Sequence, residues 1–572
     1  MVRVLYSRTA GASELNAVKI VEFLGVNAQL LPIEHAEPGA GDCWIASATT
    51  LASGVAPKVG RGFIYGFDVG NSTVLRELTG GAMNSLEPMA HGRRRYRVEQ
   101  NARNICRQLS GVSFECDGNQ DEFAFIASPS ANCSVLIRAN GKPTVVALDG
   151  ARIVLSGYAV SDLDTAVAWP RSTLDFLTGL APLIMFLRAA LGHEVWHNDK
   201  PLACFMVDDP LLHPRYGFLD YQDLLETMEQ ERFCTSLAFI PWNFRRSDSE
   251  VVRLFASHPQ RYSMCVHGCD HTQGEYGVCD YDVLLGKSRL ALRRMDEHQR
   301  LYGIGYDDVM VFPQGIFSTT AIGAAKDSGY LAAVNSTPYT TDASSLKLRD
   351  LLEPAVTRFS NFPLFVRRKP ENLAEIAFDL FLGKPAIFVE HHGYFRNGYG
   401  PVRELVRQVN AMDERLQWTS VGEIAMRACL ERQTADGDVH VKYFTGRLLC
   451  ENDLASEQNY LLLRRLSEKE RNLRVTVNGK PIETVENAGC LRVALSLKPG
   501  AKAEVRIEQS GQEMRSAALN RRGVLYDAKV FVRRRLCEFR DNYVDRSKVL
   551  SRYASRAHRL LFKKKSEWEP RD

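Results

Sequence analysis

No stretch of this sequence is apolar over the roughly 20 residues that a membrane-spanning helix requires. The most apolar run, Leu174 to Leu187, is shorter and contains Asp175 and Pro182, which predicts a buried helix. Cysteine has no framework spacing: thirteen are scattered along the chain, an odd number. This excludes a disulfide scaffold and predicts free thiols in a reducing compartment. The opening segment, Met1 to Arg8, lacks the apolar core of an export signal and reads as a strand, so the expected location is cytoplasmic. Charge of one sign is not in excess either. The 72 Lys and Arg against 68 Asp and Glu leave a net +4, too mild for nucleic-acid binding by the chain as a whole. What is present is an ordinary globular composition, 45% hydrophobic and 24% charged, over 572 residues. At roughly 150 residues per domain this length predicts three or four domains.

The periodicity changes along the chain and divides it. Residues 1–165 alternate short apolar runs (Val2–Tyr6, Gln29–Leu31, Cys43–Ala46, Phe63–Phe67) with helical patterns, which predicts an α/β domain. It contains no phosphate-cradling glycine motif. Its one compact basic cluster, His91-Gly92-Arg93-Arg94-Arg95-Tyr96-Arg97, reads as a solvated loop or else as an anion site. Residues 166–202 form a connecting helical segment. From 203 to 432, eight strand-like runs are separated mostly by helical patterns: Ala203–Val207, Thr235–Phe239, Tyr262–Val266, Val309–Phe312, Leu331–Val334, Ala355–Phe359, Ala386–Val389 and Leu416–Thr419. This order predicts an irregular parallel β/α barrel. Residues 436–512 alternate apolar and polar side chains, with Asn478-Gly479 as a hairpin turn, and predict a small accessory β-sandwich. The tail, 516–572, holds 16 Lys or Arg against 7 Asp or Glu, net +9, leaving −5 for the remainder. It reads as a basic amphipathic helix that either packs on its own protein or rests on anionic lipid.

In such a barrel the chemistry sits at the C-terminal ends of the strands. There the sequence places Asp208-Asp209-Pro210, His267-Gly268-Cys269-Asp270-His271, Pro313-Gln314-Gly315 and Glu390-His391-His392-Gly393. Adjacent carboxylates can divide labour, one binding a cation and the other accepting a proton from bound water. Two imidazoles and one carboxylate make a three-ligand set with a position open for water. A His-x-x-x-His spacing alone is a weak signal; its coincidence with paired aspartates at strand ends is stronger. A rival is His193-Glu194-Val195-Trp196-His197, which matches the zinc-protease helix His-Glu-x-x-His. Gly192 before it and Pro201 after it limit that helix, and a third ligand would have to come from Glu226 or Glu229. Cys265, Cys269 and Cys279 around His267 offer a structural zinc alternative without paired spacing.

The ordered motifs Phe205-Met206-Val207-Asp208-Asp209, His267-x-x-x-His271, Pro313-Gln314-Gly315 and Val389-Glu390-His391 resemble those of the polysaccharide deacetylases, carbohydrate esterases with an irregular β/α barrel. The resemblance covers about residues 200–430. It implies Asp208 as general base, Asp209, His267 and His271 as ligands of a divalent metal, most plausibly zinc, and His391 as general acid, with His392 competing for that role. It implies that the Gln314 backbone amide supports the oxyanion, with Trp242 and Glu390 as further candidates on the substrate side. Gly268 stands where the family carries Ser or Thr. Val311 and Phe312 occupy the stretch where an arginine precedes Pro-x-Gly, and an Asp and Trp motif supporting the acid is missing.

The expected function is removal of an N-acetyl or related acyl group from an intracellular glycan intermediate, with a carbohydrate as partner, no nucleic acid, and peripheral contact with anionic membrane through the tail. Two alternatives stand beside it. One is a non-catalytic glycan-binding protein that keeps the barrel. The other is a glycoside hydrolase using Asp208 and Glu390, which would need the two carboxylates about 5 to 9 Å apart across the scissile bond.

Overall fold

The computed structural model describes residues 1–572 apart from 37–38, 40–41, 54–56, 58, 119–121, 128–132, 344, 469, 471, 510–522 and 548–572. The N-terminal unit is built on a nine-stranded mixed sheet. Five parallel strands run in the order Ala28–Pro32, Val2–Tyr6, Cys43–Ser47, Arg61–Tyr65 and Ile153–Ser156. An antiparallel half continues through Lys142–Leu148, Cys133–Ala139, Gly92–Val98 and Ser113–Gly118. The basic cluster is therefore largely a strand, Gly92–Val98, rather than a loop. Period-two alternation puts Arg94, Tyr96 and Val98 inside and Arg93, Arg95 and Arg97 outside. Arg94 is buried because its guanidinium meets Glu122 and the carbonyls of Met89 and Ala90.

Leu174–Leu187 lies within a 3₁₀ turn and the helix Leu177–Leu191 that follows it. By length and composition this segment could cross a membrane, yet its side chains are buried inside the molecule. It wedges the N-terminal unit against the barrel: Phe186 packs 5.7 Å from Phe63, and Arg188 donates to the Phe381 carbonyl.

The barrel sheet is all parallel. Its strands are Leu202–Asp208, Thr235–Phe239, Tyr262–His267, Asp307–Val311, Ala332–Asn335, Leu364–Val366 and Ala386–His391, first to seventh in chain order. In space they run sixth-fifth-fourth-third-second-first-seventh, and a single parallel bridge, Arg368 to Phe388, nearly closes the ring. Residues of one parity (Cys204, Met206, Cys265, Val309, Val334, Phe365, Ile387) fill the interior; the other parity (Ala203, Phe205, Val207, Phe388) packs under the helices.

Two expectations are corrected here. Ala355–Phe359 is not the sixth strand. Ser360 and Asn361 both take positive φ (54° and 51°) and turn the chain, so the strand forms only after Pro363. The eighth run shrinks to Gln417–Trp418 and pairs with the first strand rather than closing the ring.

The β-sandwich starts at Cys429, earlier than expected, as a five-stranded sheet on a four-stranded one around Val441, Leu462, Val493 and Val505. Asn478 and Gly479 both adopt positive φ, as a two-residue hairpin turn requires. Glu470 fastens this domain to the barrel. It accepts from Arg464 at 2.9 Å and from Lys326 of a barrel helix at 3.0 Å. Burial pushes its carboxyl up, but Arg464 and the backbone donor of Ser467 outweigh that and hold it at about 2.

Because Glu470 is depressed in the fold, its stabilising contribution is complete above the ordinary carboxylate range, at about pH 4.5, and is lost as pH falls towards 2. Glu470→Ala leaves Arg464 buried and unpaired and should cost about 3 kcal/mol. Thermal denaturation at pH 7 should show that loss, and at pH 2 variant and parent should converge.

Candidate functional site

The strand ends gather the ionisable residues at one mouth of the barrel. Asp208 closes the first strand with its side chain on the interior parity, and His267 closes the third; both are buried. Asp209 then leaves the strand with φ 67°, and His271 follows His267 through a loop with φ 56° at His271 itself. The chain thereby turns three side chains to one point. His267 Nε2 and His271 Nε2 each lie 3.1 Å from Asp209 Oδ1, with ring centroids 4.8 Å apart. His267 Nδ1 donates to the Val311 carbonyl at 3.1 Å, which leaves the Nε2 lone pair aimed at Asp209. Asp209 Oδ1 is buried and has no hydrogen bond. A buried carboxylate oxygen facing two imidazole nitrogens fits a divalent cation. Without one, a protonated His267 pairs with the oxygen, since burial lowers that imidazole but the Asp208 and Asp209 charges outweigh it and raise it. Burial pushes the Asp209 carboxyl up, but His271 and His267 outweigh it and hold it well below the usual range. Burial lowers His271 to about 3, against the raising effect of the Asp209 charge.

The arginine sought before Pro-x-Gly comes from elsewhere. Arg367, immediately after the sixth strand, donates two parallel hydrogen bonds to Asp208, at 2.7 Å to Oδ1 and 2.6 Å to Oδ2. Both partners are only 4% exposed. Burial pushes Asp208 up; the Arg367 and His267 charges pull it further down, so it stays ionised. The misplaced sixth strand concealed this residue.

Gly268 has a steric reason. Its φ is 61°, and a Cβ there would lie 2.4 Å from Pro313 Cγ and 2.8 Å from Glu275 Oε2. Glu275, which the sequence reading passed over, is buried and accepts from the backbone N–H groups of Cys269, Asp270 and His271 at 3.0–3.3 Å. It is the residue that curls the His267–His271 loop. Asp270 is taken by Arg294 at 2.8 Å, so it is not a ligand of the cluster. All thirteen cysteines are free; Cys265 lies in the barrel core and Cys279 at the surface, while Cys269 groups with Asp270 and Glu275 instead of with those two.

His391 ends the seventh strand in register with Asp208, on the interior parity, and is exposed at the mouth. His392 turns away into a pocket between Tyr216 and Phe218, 3.5 Å from Asp541. Glu390 has the opposite parity to Ile387 and His391, on the side of Phe388, and so points to the outside of the barrel. It and Asp208 do not flank a common space, which removes the carboxylate pair that the glycosidase alternative needs. Gln314 sits at φ 55° in the turn after the fourth strand, and its side-chain carbonyl accepts from the Gly274 N–H at 3.1 Å. Trp242, in the turn after the second strand, stands partly buried at the rim.

The described part of the tail packs on its own protein, the first of its two expected roles, and roofs this mouth. The helix Val524–Phe539 and the π turn Arg540–Val544 lie across this mouth. Tyr216 donates to Asp541 at 2.5 Å, the Gly217 N–H to Asn542 at 2.8 Å, Tyr526 to Asp270 at 3.1 Å, and Arg246 pairs with Glu538. Phe531 packs on Trp242 with ring centroids 6.2 Å apart. Arg534 is 2% exposed, and its charge acts on both Asp209 and His271. The remainder of the predicted tail helix, including Phe562 to Lys565, lies outside the described residues.

Arg367→Ala should strand the Asp208 charge in the core, costing about 3–5 kcal/mol and raising its carboxyl pKa. Arg367→Lys, which cannot make the parallel pair, should recover only part of that in thermal denaturation. Glu538→Ala should loosen the roof, so that amide hydrogen exchange over 524–544 speeds up while the barrel strands are unchanged.

No protein-family model matches this sequence, and neither does any curated protein. Among solved structures, the chain is similar to the carbohydrate deacetylase Agd3, at 10% identity and a TM-score of 0.44, covering 89% of this chain and 98% of that one. It is also similar to a family 4 carbohydrate esterase from Streptomyces lividans, at 12% identity and TM-score 0.25, covering 39% of this chain and 94% of that one. A third is the peptidoglycan deacetylase PdaC from Bacillus subtilis, at 10% identity and TM-score 0.25, covering 40% and 90%. The functional reading rests on the geometry of the site itself.

Proposed function

We propose that this protein is a metal-dependent hydrolase that removes an N-acetyl, or a related acyl, group from a sugar of a glycan. The observation that carries the reading is the convergence of Asp209 Oδ1, His267 Nε2 and His271 Nε2 beside the ionised Asp208. Two nitrogens and one oxygen with room for further ligands suit zinc. When bound there, a divalent cation polarises the acyl carbonyl and lowers the pKa of water towards about 7. Asp208 accepts the proton of the attacking water. Arg367 holds the carboxylate in place and keeps it deprotonated, and Asp208 Oδ2 lies 4.0 Å from His267 Nε2, at the edge of the cluster. The turn at Gln314 brings a backbone N–H to the oxyanion. His391, exposed and in register with Asp208, gives its proton to the departing amine. His392 acts through Asp541 on the roof helix instead.

Arg367 also weakens the case for a non-catalytic relative, because it supplies the partner of the base that the sequence alone left vacant. The expected location is cytoplasmic, at the inner face of the membrane. Leu525, Val532, Leu536 and Phe539 are exposed on the roof helix beside Arg533 and Arg535, which supports contact with an anionic surface.

The test is turnover of N-acetylated oligosaccharides by the full chain, read as released acetate. Asp208→Asn should abolish release and keep the full metal complement, whereas Asp209→Ala and His267→Ala should each lose release and one equivalent of metal. A zinc content in Asp209→Ala equal to the parent's, or full turnover by Asp208→Asn, would overturn the reading.

A further inference from the structure

The zinc-protease spelling His193-Glu194-Val195-Trp196-His197 does not fold as one helix. The helix ends at Leu191, residues 192–194 make a single 3₁₀ turn, and Val195 is extended. Glu194 points to solvent, so a catalytic carboxylate is absent from this motif. The two histidines meet nonetheless. His193 Nδ1 lies 3.0 Å from His197 Nε2, His197 Nε2 lies 3.0 Å from Asp199 Oδ2, and His193 Nδ1 lies 3.6 Å from that oxygen. The imidazole centroids are 4.8 Å apart at 64°, against 4.8 Å and 57° for His267 and His271. Each pair of rings thus presents two nitrogens to one aspartate oxygen, Nε2 and Nε2 at the barrel mouth and Nδ1 and Nε2 here.

A charged His197 would donate to Asp199 through Nε2; with both rings neutral, protons do not account for all of these contacts. His197 Nδ1 donates to the Val195 carbonyl at 2.7 Å, so in the neutral ring Nε2 carries a lone pair. His193 can place one proton on that lone pair. The Asp199 oxygen, also 3.0 Å from the same nitrogen, then faces it with none between them. Three donor atoms around a tetrahedral zinc, at about 2.0–2.1 Å from the metal, would stand about 3.3 Å from one another. The observed separations bracket that value.

We infer that His193 Nδ1, His197 Nε2 and Asp199 Oδ2 form a second site for a zinc-like divalent cation, separate from the barrel mouth, that clips together the three units of the protein. The surroundings state what it would hold. The Trp196 N–H donates to the Leu24 carbonyl of the N-terminal unit at 2.8 Å. His197 exchanges two backbone hydrogen bonds, of 3.0 and 2.8 Å, with Glu431 on the first strand of the sandwich. Asp199 Oδ1 accepts from Arg415, just before the short strand Gln417–Trp418, at 3.1 Å. The His197 donor to Val195 and the Arg415 donor to Asp199 are the outer contacts that orient metal ligands. His193 is 67% exposed, so a cation can enter from solvent and keep water on its open side.

The test is zinc stoichiometry by mass spectrometry on the untagged full chain, stripped with chelator and reloaded with zinc alone. The parent should hold two ions. His193→Ala and Asp199→Ala should each hold one and keep any glycan deacetylation, and the double variant His193→Ala with His267→Ala should hold none. Because His193 is a surface residue, its loss should leave circular dichroism unchanged. In His267→Ala, zinc should still raise the melting temperature; in the double variant it should not. A parent with one ion that His193→Ala retains would overturn the second site. If Asp209→Ala keeps its full complement while His193→Ala loses an ion, the barrel site fails and this one stands.

Discussion

The parallel hydrogen bonds from Arg367 to Asp208 are the contact on which the candidate site turns. They tie the end of the sixth strand to the end of the first across the barrel mouth, and neither charge is tolerable there without the other. Desolvating a carboxylate costs several kcal/mol, and only a fully engaged, bidentate partner offsets it. The consequence is chemical as well as structural. Asp208 remains an ionised base in a buried setting, with its free edge towards the cluster of Asp209, His267 and His271.

Around that pair, unfavourable backbone geometry is concentrated. Asp209, His271, Gln314 and Gly268 all have positive φ, and three of the four carry side chains that disfavour it. What holds the loop is Glu275, whose carboxylate takes up three consecutive backbone N–H groups, with Pro313 packed so close to Gly268 that no Cβ fits. The cluster is thus preorganised by a carboxylate that touches none of its ligand atoms. The roof helix adds a second layer of control. Arg534, Tyr526 and Asp541 bring the C-terminal segment over the mouth, so access to Asp209 and the motion of residues 524–544 are coupled.

The larger assembly follows the same logic of shared charges at seams. Arg188 on the buried helix reaches Phe381, Glu470 of the sandwich reaches Lys326, and the His193–His197–Asp199 turn lies where all three units approach. A zinc ion at that turn and one at the barrel mouth would do different work with the same donor types, the first closing a junction and the second serving chemistry.

The order of elements, the parallel barrel and the sandwich were legible in the sequence, because alternation of period two and 3.6 and the turn at Asn478-Gly479 are local properties. So were Asp208, Asp209, His267 and His271, since rare ionisable types at strand ends stand out against apolar runs. Arg367 and Glu275 were not. Each acts on residues far away in the chain or through the backbone, and no spacing rule announces either. The turn at Ser360 and Asn361 displaced the sixth strand past the apolar run that had suggested it, and with it the arginine. His193 and His197 spelled a zinc-protease motif in the sequence with Glu226 or Glu229 as the expected third ligand, and the ending of the helix at Leu191 brought them to Asp199 instead. Glu390, beside His391 in the chain, was sent outward by strand parity. Local sequence therefore determined which residues could do chemistry and which elements they end, while their partners were decided by tertiary packing, because burying a charge demands a partner wherever in the chain it lies.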